Sequence, residues 1–133
     1  MGNEESETSR GKKILVVDDD VEMTMIIKDV LTEHDYEVEI AYNGLEAIKK
    51  SKEESLALIL IDIRMPFFSG LWFCEAFKQR PQTRDIPVIV VSALSSEEDI
   101  QKAYERGACA YLRKPFRTEE LLHLVKKVTS KKA

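Results

Sequence analysis

The chain has only two cysteines and two histidines in 133 residues, and that scarcity removes several chemistries. Cys74 and Cys109 have neither metal-ligand nor redox spacing, so the sequence predicts two reduced, semi-buried thiols in a cytoplasmic protein. His34 and His123 have no acid or nucleophile partner nearby in sequence and read as surface residues. No apolar run approaches the roughly 18 residues of a membrane span, and no signal peptide is visible. An excess of one charge is also missing: 20 basic against 24 acidic residues leave a formal net charge of −4. Neither a direct nucleic-acid footprint nor a membrane-surface one is indicated. Internal repeats, low-complexity tracts and interdomain linkers are absent.

What is present is the composition of an ordinary globule, 44% hydrophobic and 33% charged, long enough for one domain with a real core. Residues 1–11 are polar and without period, which predicts a disordered tail. Met1-Gly2 with Ser6 matches an acylation pattern too short to be diagnostic. The folded domain is expected over 12–129, with 130–133 as a second frayed tail. Trp72 reads as packing or surface.

Five apolar strand candidates, 13–17, 37–42, 57–61, 87–91 and 109–112, alternate with helix-like stretches. The first helix places Met23, Ile26, Ile27, Val30 and Leu31 on one face, with Asp20 as N-cap. The second opens at Asn43 with Glu46 in capping-box spacing. The third opens at Ser69 and buries Phe73, Cys74 and Phe77. Ser95 with Glu98 opens the fourth, which stops at Gly107. Thr118 opens the fifth, with Leu121, Leu122, Val125 and Val128 inward. Alternating βα units imply right-handed crossovers and a covered parallel sheet. Five units predict an α/β fold, a flavodoxin-like (βα)5 doubly wound sheet of strand order 2-1-3-4-5, whose switch point lies between strands one and three.

Acidic residues collect at that switch point. The first strand runs into Asp18-Asp19-Asp20 and the third into Asp62. Two unit charges about 5 Å apart repel by roughly 3 kcal/mol at an effective dielectric of about 20, so the cluster calls for a cation. An all-oxygen site suits Mg²⁺. Strand four ends at Ser92 and strand five at Lys114, adding a hydroxyl and an ammonium to the same rim. Carboxylates, Mg²⁺ and a lysine can neutralise a transferring phosphoryl group, and one carboxylate can be its nucleophile.

With these residues the chain resembles a response-regulator receiver domain of two-component signalling, of the chemotaxis-regulator kind. The resemblance rests on Val17-Asp18-Asp19, Asp62-Ile63-Arg64-Met65-Pro66, Ser92-Ala93 and Lys114-Pro115-Phe116, in that order. It implies Asp62 as phosphoacceptor and Asp19 as a direct Mg²⁺ ligand, with Asp18 acting mainly through a water. It adds the Arg64 carbonyl as a further ligand. It implies that Ser92 and Lys114 contact phosphoryl oxygens, that Lys114-Pro115 is cis, and that Tyr111 is the aromatic switch residue paired with Ser92. It further implies a sensor histidine kinase or histidine phosphotransfer protein as donor, and signalling rather than enzymatic turnover of other substrates. Output to a partner or output domain would pass through the surface of the fourth helix, fifth strand and fifth helix, where a phosphorylation-dependent dimer would also form. The sequence does not name the cognate kinase, the output or the phosphoryl lifetime.

Departures exist. The family's Met-Pro-x-Met-Asp-Gly loop here reads Met65-Pro66-Phe67-Phe68-Ser69-Gly70, an unusually apolar rim. Arg64 and Leu94 stand at positions that tune phosphoryl lifetime in the family. A Mg²⁺-dependent phosphohydrolase would want a second acid where Arg64 stands. A flavodoxin-like cofactor binder would need a phosphate loop where Asp18-Asp19-Asp20 would repel the phosphate. A degenerate receiver acting only by interaction would lack acceptor-site residues, and all are filled.

Overall fold

The computed structural model describes residues 12–53, 55–65, 68–94 and 96–130. The expectations for residues 1–11 and 131–133, for Phe67 and for Ser95 fall outside those residues. Five strands, β1 Lys13–Val17, β2 Glu37–Ala41, β3 Leu58–Ile61, β4 Val88–Ser92 and β5 Ala110–Arg113, form one sheet. Its order is β2-β1-β3-β4-β5 and every pairing is parallel. The helices between and after them are α1 Val21–Thr32, α2 Gly44–Glu53, α3 Gly70–Gln79, α4 Glu97–Glu105 and α5 Thr118–Ser130. A short antiparallel ladder pairs Arg64 with Ser69 and Met65 with Phe68, between β3 and α3. This is the doubly wound fold that the alternating pattern predicts.

Both sheet faces are covered, and for that reason β1, β3 and β4 are apolar throughout rather than alternating. Leu15, Val17, Ile59, Ile61, Val88 and Val90 pack under α2, α3 and α4, against Ala47, Phe73, Cys74, Phe77 and Ala103. Ile14, Val16, Leu58, Leu60, Ile89 and Val91 pack on the other face against Ile27 and Leu31 of α1 and Leu121 and Val125 of α5.

Local signals act as the sequence suggests at most helix ends. Asp20 Oδ1 accepts from Met23 N–H at 3.1 Å, Asn43 Oδ1 from Glu46 N–H at 2.9 Å, and Ser69 Oγ from Leu71 N–H at 3.1 Å. Gly107, at φ +110°, ends the turn after α4. Five expectations are corrected. The α4 cap is Ser96, whose Oγ accepts from Asp99 N–H at 3.0 Å. Ile26 is 52% exposed, and Thr24, fully buried, takes the inward position on α1 instead. Its hydroxyl donates to the Val21 carbonyl at 2.8 Å, so burial leaves no polar atom orphaned.

α5 runs through Ser130 instead of fraying: Thr129 Oγ1 meets Tyr36 OH at 3.2 Å, and Lys12 Nζ donates to the Thr129 carbonyl at 2.6 Å. The thiols are not alike, Cys74 being fully buried and Cys109 exposed. Burial pushes the Cys74 thiol up to about 11, which keeps it protonated and inert. His123 is exposed, but His34 is half-buried, with Nδ1 3.0 Å from the Val30 carbonyl. Trp72 is 53% exposed, edge-on to Phe73 with ring centroids 4.9 Å apart. No helix among the described residues is long and apolar enough to cross a membrane.

The corrected face of α1 has a direct test. Ile27→Ala should cost about 2–5 kcal/mol in urea unfolding, while the adjacent Ile26→Ala should stay within about 0.5 kcal/mol of wild type. Equal losses would contradict the placement of these two side chains.

Candidate functional site at the carboxyl edge of the sheet

Register brings the acids together. Val17 pairs with Ile61 across β1 and β3, so the next residue on each strand is an aspartate, on chains about 4.8 Å apart. The ladder extends into the site: Asp62 N–H donates to the Val17 carbonyl at 3.0 Å, and Asp18 N–H to the Ala41 carbonyl at 3.1 Å. Lys114 N–H likewise donates to the Ser92 carbonyl at 2.9 Å. Alternation along the strands, continued one residue past their ends, turns Asp18 and Asp62 to the same side. Lys114, one residue beyond β5, reaches both.

Its ammonium donates to Asp18 Oδ2 at 2.7 Å and to Asp62 Oδ2 at 3.0 Å. Asp18 and Asp62 are only 3% and 8% exposed. Their other oxygens accept backbone N–H groups, Asp18 Oδ1 from Asp20 at 3.0 Å and Asp62 Oδ1 from Arg64 at 3.1 Å. Burial raises the Asp18 carboxyl above its ordinary value, outweighing the Lys114 hydrogen bond that pulls it down. Burial alone would lower the Lys114 ammonium, but its hydrogen bonds to Asp18 and Asp62 win and hold it above the usual lysine range. The Lys114-Pro115 bond is cis, as the resemblance implies.

Ser92 and Tyr111 lie toward the α2–α4 face. Ser92 is fully buried at the end of β4, and its Oγ accepts from Leu94 N–H at 3.2 Å. Tyr111, half-buried in β5, donates its hydroxyl to the Leu94 carbonyl. Burial raises its phenol above the ordinary value, against the neighbouring Ser92 hydroxyl, which lowers it. Leu94 thus holds both side chains through its own backbone, a link that sequence spacing does not reveal. Asp19 and Arg64 are exposed.

Among the described residues, no three His, Cys, Asp or Glu side chains are grouped so as to hold a metal ion: Lys114 stands between Asp18 and Asp62, and Asp19 is in solvent. The donor chemistry nevertheless fits a hard cation. Two buried carboxylates face one ammonium, every ligating atom at hand is oxygen, and a third carboxylate is adjacent in the chain.

Sequence reading missed Gly70. A Cβ there would lie 2.1 Å from the Asp62 carbonyl oxygen. Its signal was the Ser-Gly pair at the start of α3, of which only the serine has an obvious capping role.

Comparison with known proteins points one way. Residues 14–126 match the response regulator receiver domain. A "Transcriptional regulatory protein CpxR homolog" of Haemophilus influenzae is 36% identical over 121 residues, 91% of this chain and 52% of that protein. The chain spans about half the length of the curated relatives it matches. Chemotaxis protein CheY4 of Vibrio cholerae superposes with a TM-score of 0.84 at 31% identity, covering 89% of this chain and 98% of CheY4. Response regulator protein TrrA of Thermotoga maritima, solved in complex with Mg²⁺-BeF, gives 0.78 at 34% identity, with 88% and 98% covered. Relatives named as transcriptional regulators limit the expectation of no direct nucleic-acid contact to these 133 residues.

The raised Asp18 has a thermodynamic consequence. Its folded-state value lies above the unfolded 3.8, so ionisation costs stability at neutral pH, and that cost vanishes as the pH falls below both values. Asp18→Asn should therefore raise the thermal midpoint at pH 7, and the gain should shrink as the pH is lowered through the carboxylate range. Melting curves at a series of pH values check this; a gain independent of pH would contradict it.

Proposed function

The chain belongs to the response regulator receiver domain family, and from that premise we propose that it accepts a phosphoryl group on Asp62 from a phosphohistidine, with Mg²⁺. The single observation that carries this reading is the Lys114 ammonium shared by two buried carboxylates at the carboxyl edge of β1 and β3. It supplies, in one place, a nucleophile and the positive charge a phosphoryl group needs.

In the reaction an Asp62 carboxylate oxygen attacks phosphorus. The O–P bond of an acyl phosphate forms, the P–N bond to the donor imidazole breaks, and the imidazole leaves with that electron pair. Lys114 neutralises a phosphoryl oxygen, so its hydrogen bond to Asp62 is exchanged for one to the incoming group. Ser92 turns its hydroxyl from Leu94 N–H to another phosphoryl oxygen. Asp18, Asp19, Asp62 and the Arg64 carbonyl would hold Mg²⁺. Bound there, the ion supplies charge stabilisation for phosphoryl transfer, a role supported by the Mg²⁺-BeF complex of the TrrA neighbour. The donor is a sensor histidine kinase or a histidine phosphotransfer protein.

Release of Leu94 N–H by Ser92 reaches Tyr111 through the same residue, whose carbonyl Tyr111 holds. The surface of α4, β5 and α5 changes with it and passes the signal to an output partner, an output domain or a second copy.

Incubation with acetyl phosphate and Mg²⁺ should add one phosphoryl mass to the intact protein. Asp62→Asn or chelation of Mg²⁺ should abolish the adduct, and Lys114→Ala should slow its formation by a factor of 10 or more (~1.4 kcal/mol of barrier per factor of 10). An adduct that persists in Asp62→Asn would end this reading.

A further inference from the structure

Gly70 N–H, at the first residue of α3, donates to the Ile63 carbonyl at 2.8 Å. A Cβ built on it would lie 2.1 Å from the Asp62 carbonyl oxygen and 2.8 Å from both the Asp62 carbonyl carbon and Ile63 Cα. All three atoms are backbone, so no rotamer change can relieve the contact. The start of α3 therefore abuts the peptide unit that carries Asp62. The intervening segment is closed by the Arg64–Ser69 and Met65–Phe68 ladder, and Ser69 caps the helix through Leu71 N–H. Within the same loop, Arg64 N–H holds Asp62 Oδ1. Asp62 is thus held at its side chain by Arg64 N–H, the next carbonyl, that of Ile63, is held by Gly70 N–H, and the Asp62 carbonyl lies where a side chain at position 70 would clash.

We propose that Gly70 is a positioning residue for Asp62: lacking a side chain, it lets α3 seat against the Asp62–Ile63 peptide and so fixes the direction in which the Asp62 carboxylate faces. The inference rests on the reading of Asp62 as phosphoacceptor. An added methyl must push the peptide by more than about 1 Å, from 2.1 Å, before it reaches an ordinary contact at 3.4 Å, and a misplacement of about 1 Å can cost about 100-fold in a reaction that depends on alignment.

A second glycine provides the matched control. A Cβ on Gly44, at the start of α2, would lie 2.0 Å from Phe73 Cζ. The clash is as severe, but it falls on the tip of a core ring of α3, which can be trimmed, and not on the backbone at the start of that helix or on any residue of the acceptor site.

The test follows adduct formation on the full chain with acetyl phosphate and Mg²⁺ by intact mass. Rates are expressed per folded molecule, with the folded fraction taken from circular dichroism at the same temperature. Gly70→Ala should lower the maximal rate tenfold or more and leave the half-saturating acetyl phosphate concentration within twofold. Gly44→Ala should lower the thermal midpoint but keep its rate within twofold of wild type, and adding Phe73→Leu should recover the midpoint. A folded Gly70→Ala protein within twofold of the wild-type rate would overturn the proposal, as would an equal slowing in Gly44→Ala. If Gly70→Ala does not fold, Ser69→Ala, which loosens the same helix start without adding an atom, decides. A threefold or greater slowing supports the brace, and an unchanged rate overturns it. Absence of an adduct in wild type itself would overturn the acceptor reading, and this inference with it.

Discussion

Everything at the carboxyl edge of this sheet depends on one ammonium held between two carboxylates that the fold has taken out of water. Asp18 and Asp62 follow directly on paired strand residues, so their backbones cannot move apart without breaking the ladder. Their charges would repel at that spacing. Burial makes the conflict worse, as the raised Asp18 carboxyl records. Lys114 offsets it from the far side of the sheet, across β4, and that requires β5 to end where it does. One positive charge against two negative ones leaves the site electrostatically incomplete, and an incomplete site is one that an added cation or a phosphoryl group can change.

Chemistry is divided between the two faces of the sheet by the alternation of strand side chains. The charged group sits on the α1 and α5 side, with the backbones of Asp18, Asp62 and Lys114 anchored to β2, β1 and β4 in turn. The hydroxyls of Ser92 and Tyr111 sit on the other side, under the helices that carry Phe73 and Ala103. A single residue, Leu94, holds both hydroxyls through its peptide groups. Charge balance and side-chain repacking are therefore separable, one on each face, and meet only at the ends of β4 and β5.

Much of this was legible from the residues. Strand cores came from apolar runs bounded by turn residues, and their limits differ from the structure by a residue at most ends. The convergence of Asp18, Asp62 and Lys114 followed from topology alone, once five βα units implied the strand order. The roles of these residues came from the resemblance, because a carboxylate's job is not written in its neighbours. What was not legible has identifiable causes. Ile26 and Thr24 both lie at the margin of the buried stripe of α1, where helical periodicity cannot choose between an apolar and a polar side chain. Ser95 and Ser96 each have an acid three residues on, so spacing could not select the cap. Gly70 carries no side chain, and its contact with the Asp62 peptide exists only once α3 is docked.

The continuation of the sheet's hydrogen bonds into the site has a consequence for which changes of length the molecule can absorb. Asp18, Asp62 and Lys114 take their places from the ladder itself, whereas the turns at the amino edge, such as the one joining α1 to β2, touch none of them. Lengthening such a turn moves nothing at the opposite end. Deleting one residue inside β1 or β3 would shift the register and send an aspartate to the wrong face. Insertions and deletions should therefore accumulate at one end of the molecule and be barred from the strands, which makes this architecture a frame on which connections can be redrawn freely while its reacting end keeps its shape.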